Sequence, residues 1–135
     1  RYEREPNAVR NTPENLKKQM GEENPPFHCL IAQNGDMPCG FALYFFTYST
    51  WNGTRTLYLE DLYVPPEFRR QGIGTQLLSA LAQIAQSHQC SRMEWSVLDW
   101  NQLAINAYEK IGAKPQSEWT GYRIDGKALH RLAHH

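Results

Sequence analysis

The sequence carries no net charge, few cysteines and no long apolar run. Fourteen Lys and Arg balance fourteen Asp and Glu over 135 residues. No overall field therefore draws the chain onto nucleic acid or an anionic membrane, and a small-molecule partner is the better expectation. No stretch approaches the roughly 20 apolar residues that cross a bilayer, which predicts a soluble chain. Cys29, Cys39 and Cys90 are odd in number, lack metal-ligand spacing and follow no secretory segment. They read as reduced thiols of a cytoplasmic protein. Internal repeats, low-complexity tracts, interdomain linkers and metal-binding constellations are all absent from the pattern. The chain opens at Arg1 without an initiator Met and closes on His134 and His135, equally a native ending or the remnant of a purification tag.

What is present suits one domain spanning residues 1–135, long enough to bury a core without disulfides or metal. Thr12-Pro13 is a helix-start signal, and Leu16 and Met20 then predict a short amphipathic helix to Met20. Phe27 to Gln33, Gly40 to Tyr48 and Arg55 to Val64 read as three strands. Tight turns at Asn34-Gly35 and Asn52-Gly53 join them into an antiparallel meander. From Gly74 to His88 the period changes to that of a helix, with Leu77, Leu78, Leu81, Ile84 and Ala85 on one face. Arg92 to Leu98 then reads as a buried strand, reached by a crossover that makes the sheet mixed. Gln102 to Lys110 reads as a helix closed by Gly112, Trp119 to Ile124 as a last strand, and Lys127 to Leu132 as a turn or helix. The aromatic strand residues Phe41, Tyr44, Phe45, Phe46 and Tyr48 read as packing rather than as a stacking platform. His28 and His88 read as structural or solvent-facing.

Chemistry concentrates in Arg69-Arg70-Gln71-Gly72-Ile73-Gly74-Thr75, between a strand and a long helix. Two glycines let the backbone approach a ligand, and the unpaired N–H groups of a helix start can cradle phosphate. A Gly-x-Gly turn also serves tight geometry alone. The segment lacks both the Lys-Ser/Thr ending of a nucleotide P-loop and the third glycine of a dinucleotide fingerprint, so neither ATP nor NAD is favoured.

Arg69-x-x-Gly72-x-Gly74, preceded by Tyr58 to Val64, resembles the coenzyme A signature of the GNAT N-acetyltransferase superfamily. Leu59-Glu60-Asp61, Val97-Leu98-Asp99-Trp100-Asn101 and Ala107-Tyr108 resemble its spermidine/spermine (diamine) acetyltransferase branch, notably the thialysine-acetylating members. The resemblance runs from about His28 to Ala133. It implies an α/β (α+β) fold with a mixed, mostly antiparallel central sheet and helices on both faces. The strand and helix that normally precede the position of Arg1 would be missing, making this an N-terminally truncated domain. It also implies acetyl-CoA as co-substrate without a metal, a small amine acceptor (thialysine, diamine or polyamine-like), and a homodimer.

Roles follow from the resemblance residue by residue. An alkyl amine arrives protonated at neutral pH and must lose a proton before attack, whereas the departing thiolate must gain one. The resemblance gives the first task to Glu60 and the second to Tyr108; a solvent-facing strand carboxylate and a packing tyrosine are the alternatives. It pairs the backbone of Leu62, Tyr63 and Val64 with the pantetheine arm and the segment Arg70, Gln71, Gly72, Ile73, Gly74 and Thr75 with the diphosphate, Arg69 and Arg70 adding charge. It also makes Asn101 and Ala104 coenzyme contacts, a role that at Asn101 can coexist with that of a helix N-cap. Glu60, Ser49, Glu94 and Trp95 fall at acceptor positions. Ser49 replaces an acidic residue of polyamine-acetylating members, which argues for a shorter diamine or an amino-acid side chain, and Trp95 is equally a core residue. The strand is expected to bulge, which leaves the directions of Glu60 and Asp61 open. Two other classes stay in view: a catalytically silent acyl-CoA-binding module, and an acetyltransferase of protein lysines or N-termini.

Overall fold

The computed structural model describes residues 18–97 and 101–135, and the chain forms two compact units divided after Ser96. The first holds strands β1 (His28–Asn34), β2 (Met37–Ser49), β3 (Thr54–Tyr63) and β4 (Arg92–Glu94), with helix α1 (Ile73–Ser87). The second holds α2 (Gln102–Lys110) and α3 (Gly126–Ala133). Residues 18–20 are helical, while the rest of the helix expected from Thr12 lies outside the described residues. So do Leu98, Asp99 and Trp100 of the second motif. No helix among the described residues is long and apolar enough to cross a membrane.

The sheet is mixed, as expected, in the order β1-β2-β3-β4, antiparallel except for the parallel β3–β4 pair. Both Asn-Gly turns form, each with a shift. The first loop is Gly35-Asp36, with Gly35 at φ 64, so the left-handed residue leads the turn as in type II′. The second is a four-residue loop in which the Gly53 N–H donates to the Ser49 carbonyl at 2.8 Å. The Asn52 N–H donates to Ser49 Oγ at 3.2 Å, so a buried serine side chain closes this turn.

Helix α1 buries Ile73, Leu77, Leu81 and Ala85, a stripe at i, i+4, i+8 and i+12. Leu81 and Ala85 pack with Ala42, Leu57 and Leu59, and Ile73 and Leu77 with Cys39 and Val64. Leu57 and Leu81 are fully buried, each contributing roughly 1.5–3 kcal/mol by leaving water. Strand alternation divides the aromatic residues of β2 between the two faces. Tyr44 and Phe46 pack against the α1 core. Phe41 and Phe45 instead sit beside their cross-strand partners Tyr63 and Tyr58, with ring centroids 5.8 and 5.3 Å apart.

Two features of the sheet set up the functional end. At Gly40 an added Cβ would lie 3.1 Å from the Tyr63 carbonyl oxygen, 3.2 Å from Ile73 Cγ2 and 3.3 Å from Leu77 Cδ1. The first turns of α1 thus rest on bare backbone. In β3, Leu59 pairs with Tyr44 while Asp61 pairs with Leu43, which makes Glu60 the extra residue of a bulge.

Two expected strands are corrected. Of the strand expected from Arg92 to Leu98, Arg92–Glu94 forms, paired along Thr56, Leu57 and Tyr58, and residues 95–97 are irregular. The ladder stops two residues short of the Glu60 bulge, which re-aims β3 and removes the straight partner that a longer β4 needs. Trp119 to Ile124 alternates like a strand but is irregular, with Trp119 and Tyr122 exposed. No strand ladder among the described residues includes it, and alternation without a ladder does not hold an extended segment. Helix α2 matches its expected limits, Gly112 following at φ 96.

Replacing Gly40 by Ala is expected to cost about 1–3 kcal/mol, the range for overpacking, whereas Leu81→Ala costs about 2–5 kcal/mol through a cavity. Urea unfolding of each variant checks both values.

Candidate functional site

The start of α1 is built to receive an anion. Gly72 is its N-cap, at φ 78, and no side chain caps the helix. The Gln76 N–H donates to the Gly72 carbonyl at 3.0 Å, so the N–H groups of Ile73, Gly74 and Thr75 have no acceptor within the helix. These donors carry the positive end of a 15-residue helix dipole. Nothing lies within 4 Å of the place where a Gly72 Cβ would stand, leaving that side open to a ligand.

A cleft of about 290 Å³ opens there, lined by Leu62, Val64, Phe68, Arg69, Arg70, Gly72, Ile73, Gly74 and Thr75. The end of β3 and the loop identified in the sequence thus converge on one space. Tyr63 and Gln71 are not in its lining. Phe68 is, and sequence reasoning missed it; the only signal is an aromatic residue between Pro65-Pro66 and the arginine pair.

The two arginines separate. Arg69 Nε donates to the Val64 carbonyl at 3.0 Å, and its guanidinium lies 6.0 Å from the Tyr63 ring centroid. It ties the loop back to the end of β3. Arg70 is exposed, at φ 66.

The other candidates lie as follows. Glu60 is exposed at the bulge. Glu94, on β4, has its Oε2 3.6 Å from Arg92 Nε. Trp95 packs against the α1 core, favouring its structural reading. Ser49 is 7% exposed and engaged in the β2–β3 turn. In the second unit, Asn101 caps α2, its Oδ1 accepting from the Ala104 N–H at 3.2 Å, a role that can coexist with a coenzyme contact. Tyr108, on α2, is half-buried, and burial pushes its phenol above the ordinary tyrosine range. Cys29 and Cys90 are likewise raised by burial, Arg55 partly opposing this at Cys90.

A phosphate cradle at a helix start, beside a bulged strand of a mixed sheet, is the architecture of a coenzyme A-dependent acyltransferase. The model of the acetyltransferase (GNAT) family matches residues 2–113, and the chain belongs to that family. The chain is 40% identical to a thialysine N-epsilon-acetyltransferase of Mus musculus, over 98% of this chain and 84% of the relative. It is 38% identical to an L-ornithine N5-acetyltransferase of Arabidopsis thaliana, over 73% of this chain and 43% of that one. Among solved structures, an integron cassette protein from the mobile metagenome of V. cholerae superposes with a TM-score of 0.79 at 31% identity, covering 91% of this chain and 78% of that one. The chain is accordingly an N-acetyltransferase that draws on acetyl-CoA.

The unpaired N–H groups and the open side of Gly72 fit the coenzyme's diphosphate. Gly72→Ala places a Cβ on a left-handed residue, and is expected to lower stability by roughly 1–2 kcal/mol and to weaken coenzyme A binding, as measured by thermal unfolding and calorimetry. For Tyr108, a folded value above the unfolded one means that the neutral phenol's contribution is complete below the unfolded value. It is lost as pH rises through the folded value. Tyr108→Phe should therefore flatten the alkaline fall in stability, read by unfolding at a series of alkaline pH values.

Proposed function

We propose that the chain transfers acetyl from acetyl-CoA to the terminal amine of a small metabolite of the thialysine, diamine or polyamine-like class, by direct attack in a ternary complex. The observation that carries this reading is the backbone cradle at the start of α1 in a chain of this family. In the proposed reaction the acceptor's ammonium gives a proton to Glu60, directly or through water. The free amine attacks the thioester carbonyl, the C–S bond breaks, the Tyr108 phenol supplies the proton taken up by the thiolate, and the second proton that the nitrogen sheds as it becomes an amide restores the phenol. Burial favours the protonated phenol, which suits Tyr108 to wait as an acid. Raised thiols at Cys29 and Cys90 are poorer nucleophiles, which favours direct transfer over an acetyl-cysteine intermediate.

The acceptor class rests on two supports. The relatives' names share an ω-amino group on an amino acid, thialysine in one and L-ornithine in the other. Ser49 places a turn-closing hydroxyl where polyamine-acetylating members carry an acid, so a multiply charged chain loses one partner. An amino acid with a terminal side-chain amine is thus the preferred acceptor. Three free thiols suit a reducing, cytoplasmic setting, and a homodimer completes the reading by resemblance to the diamine branch.

Coenzyme A release from acetyl-CoA tests the proposal, with thialysine, ornithine, lysine, short diamines, spermidine and a lysine peptide as acceptors. Turnover is expected on an ω-amino acid and to fall by roughly tenfold or more in both Glu60→Gln and Tyr108→Phe. Binding of acetyl-CoA without turnover of any acceptor would favour a silent acyl-CoA module, and turnover of the peptide alone a protein acetyltransferase.

A further inference from the structure

Helix α3 ends on a pair of imidazoles. His130 and His134 are four residues apart, the spacing that brings side chains together on one helix face. Both are exposed, and their ring centroids lie 4.2 Å apart with the planes tilted by 36°. The His134 Nδ1 stands 2.8 Å from the His130 carbonyl oxygen. A carbonyl only accepts, so Nδ1 carries the proton, and in the neutral ring Nε2 keeps an unshared electron pair. A metal-binding histidine is ordinarily held in this way, its other ring N–H given to a carboxylate or a backbone carbonyl.

Two further features suit a cation. His134 is the C-cap of α3, where the helix dipole is negative. Nitrogens about 2.0–2.1 Å from one ion lie roughly 3 Å apart, within reach of rings whose centroids are 4.2 Å apart. Lys127 and Arg131 are the positive neighbours on the helix, both exposed, so water and salt screen them. We infer that His130 and His134 form a two-histidine site for a divalent transition-metal ion, with water at its other positions. Imidazole nitrogen selects copper, nickel or zinc over calcium or magnesium, and the ordinary order of affinities puts Cu²⁺ first. Two protein ligands are fewer than those of a structural or catalytic zinc site, so the ion clamps the last turn of α3 rather than holding the fold. The His134 N–H closes that same turn on the His130 carbonyl at 3.2 Å. The site is independent of coenzyme binding.

The test is calorimetric titration of the whole chain, carrying no added histidines, with copper(II), zinc and magnesium chlorides. The native protein is compared with His130→Ala, His134→Ala and His135→Ala. These positions are exposed, so the metal-free variants should melt with the native protein and a lost site is not misfolding. One copper ion per chain is expected, bound more tightly than zinc, with no uptake of magnesium. Removing His130 or His134 should weaken copper by no less than the roughly 10–100-fold that loss of a ligand's hydrogen-bond partner costs, whereas His135→Ala stays within about twofold. Electron paramagnetic resonance should show two nitrogen ligands in the native copper complex and one in either ligand variant. Amide exchange at His134 should slow when copper is bound. A native protein that binds no copper would overturn the inference. So would copper binding that survives unchanged in His130→Ala or His134→Ala, which is adventitious binding elsewhere, or an equal loss in His135→Ala.

Discussion

The approach of α1 to the sheet governs the functional end of the first unit. Ile73 and Leu77 descend onto Gly40, where one methyl group would stand 3.1–3.3 Å from three neighbours. That contact sets the height of the helix start above β2 and β3, and with it the direction of three N–H groups that the helix cannot satisfy. Leu81 and Ala85 hold the rest of the helix against Ala42, Leu57 and Leu59. The apolar stripe therefore serves stability along its length and fixes the position of the helix start at its first turn.

The bulge at Glu60 is a second constraint, and its effects are opposite on its two sides. Before it, β3 pairs with both neighbours, and the short β4 ladder ends at Tyr58. After it, Leu62 and Val64 return to the α1 side and line the cleft. A carboxylate as the extra residue of a bulge is exposed without being buried against the sheet, which leaves it accessible for the proton transfer proposed for it. The charge pattern of the loop is divided in the same economical way, with Arg69 fixing the backbone and Arg70 exposed at the cleft.

Much of this was legible in the sequence because it is local. Asn-Gly pairs mark turns, and a period of 3.6 marks α1, so three strands and two helices fall close to their expected limits. Gly35 and Gly53 both take the left-handed conformation, but dipeptide chemistry alone did not reveal which loop position each occupies. Non-local features were hidden. The end of β4 depends on a bulge in another strand, and Trp119 to Ile124 carries the alternation of a strand without a ladder among the described residues. At the site, the glycine-rich segment was readable as a phosphate cradle. The diversion of Arg69 to the Val64 carbonyl, the engagement of Ser49 in a turn and the packing of Trp95 all depend on three-dimensional neighbours. Phe68 escaped notice because one aromatic residue in a proline-rich loop has no motif.

The central claim is that backbone N–H groups at the start of α1 hold the coenzyme's diphosphate. Amide chemical shifts followed by NMR during titration with coenzyme A, and separately with pantetheine, test it most directly. The account predicts large shifts at Gly72, Ile73, Gly74 and Thr75 with coenzyme A and only small ones with pantetheine, which has no phosphate. Saturable binding of coenzyme A that leaves those four amides unmoved would contradict it.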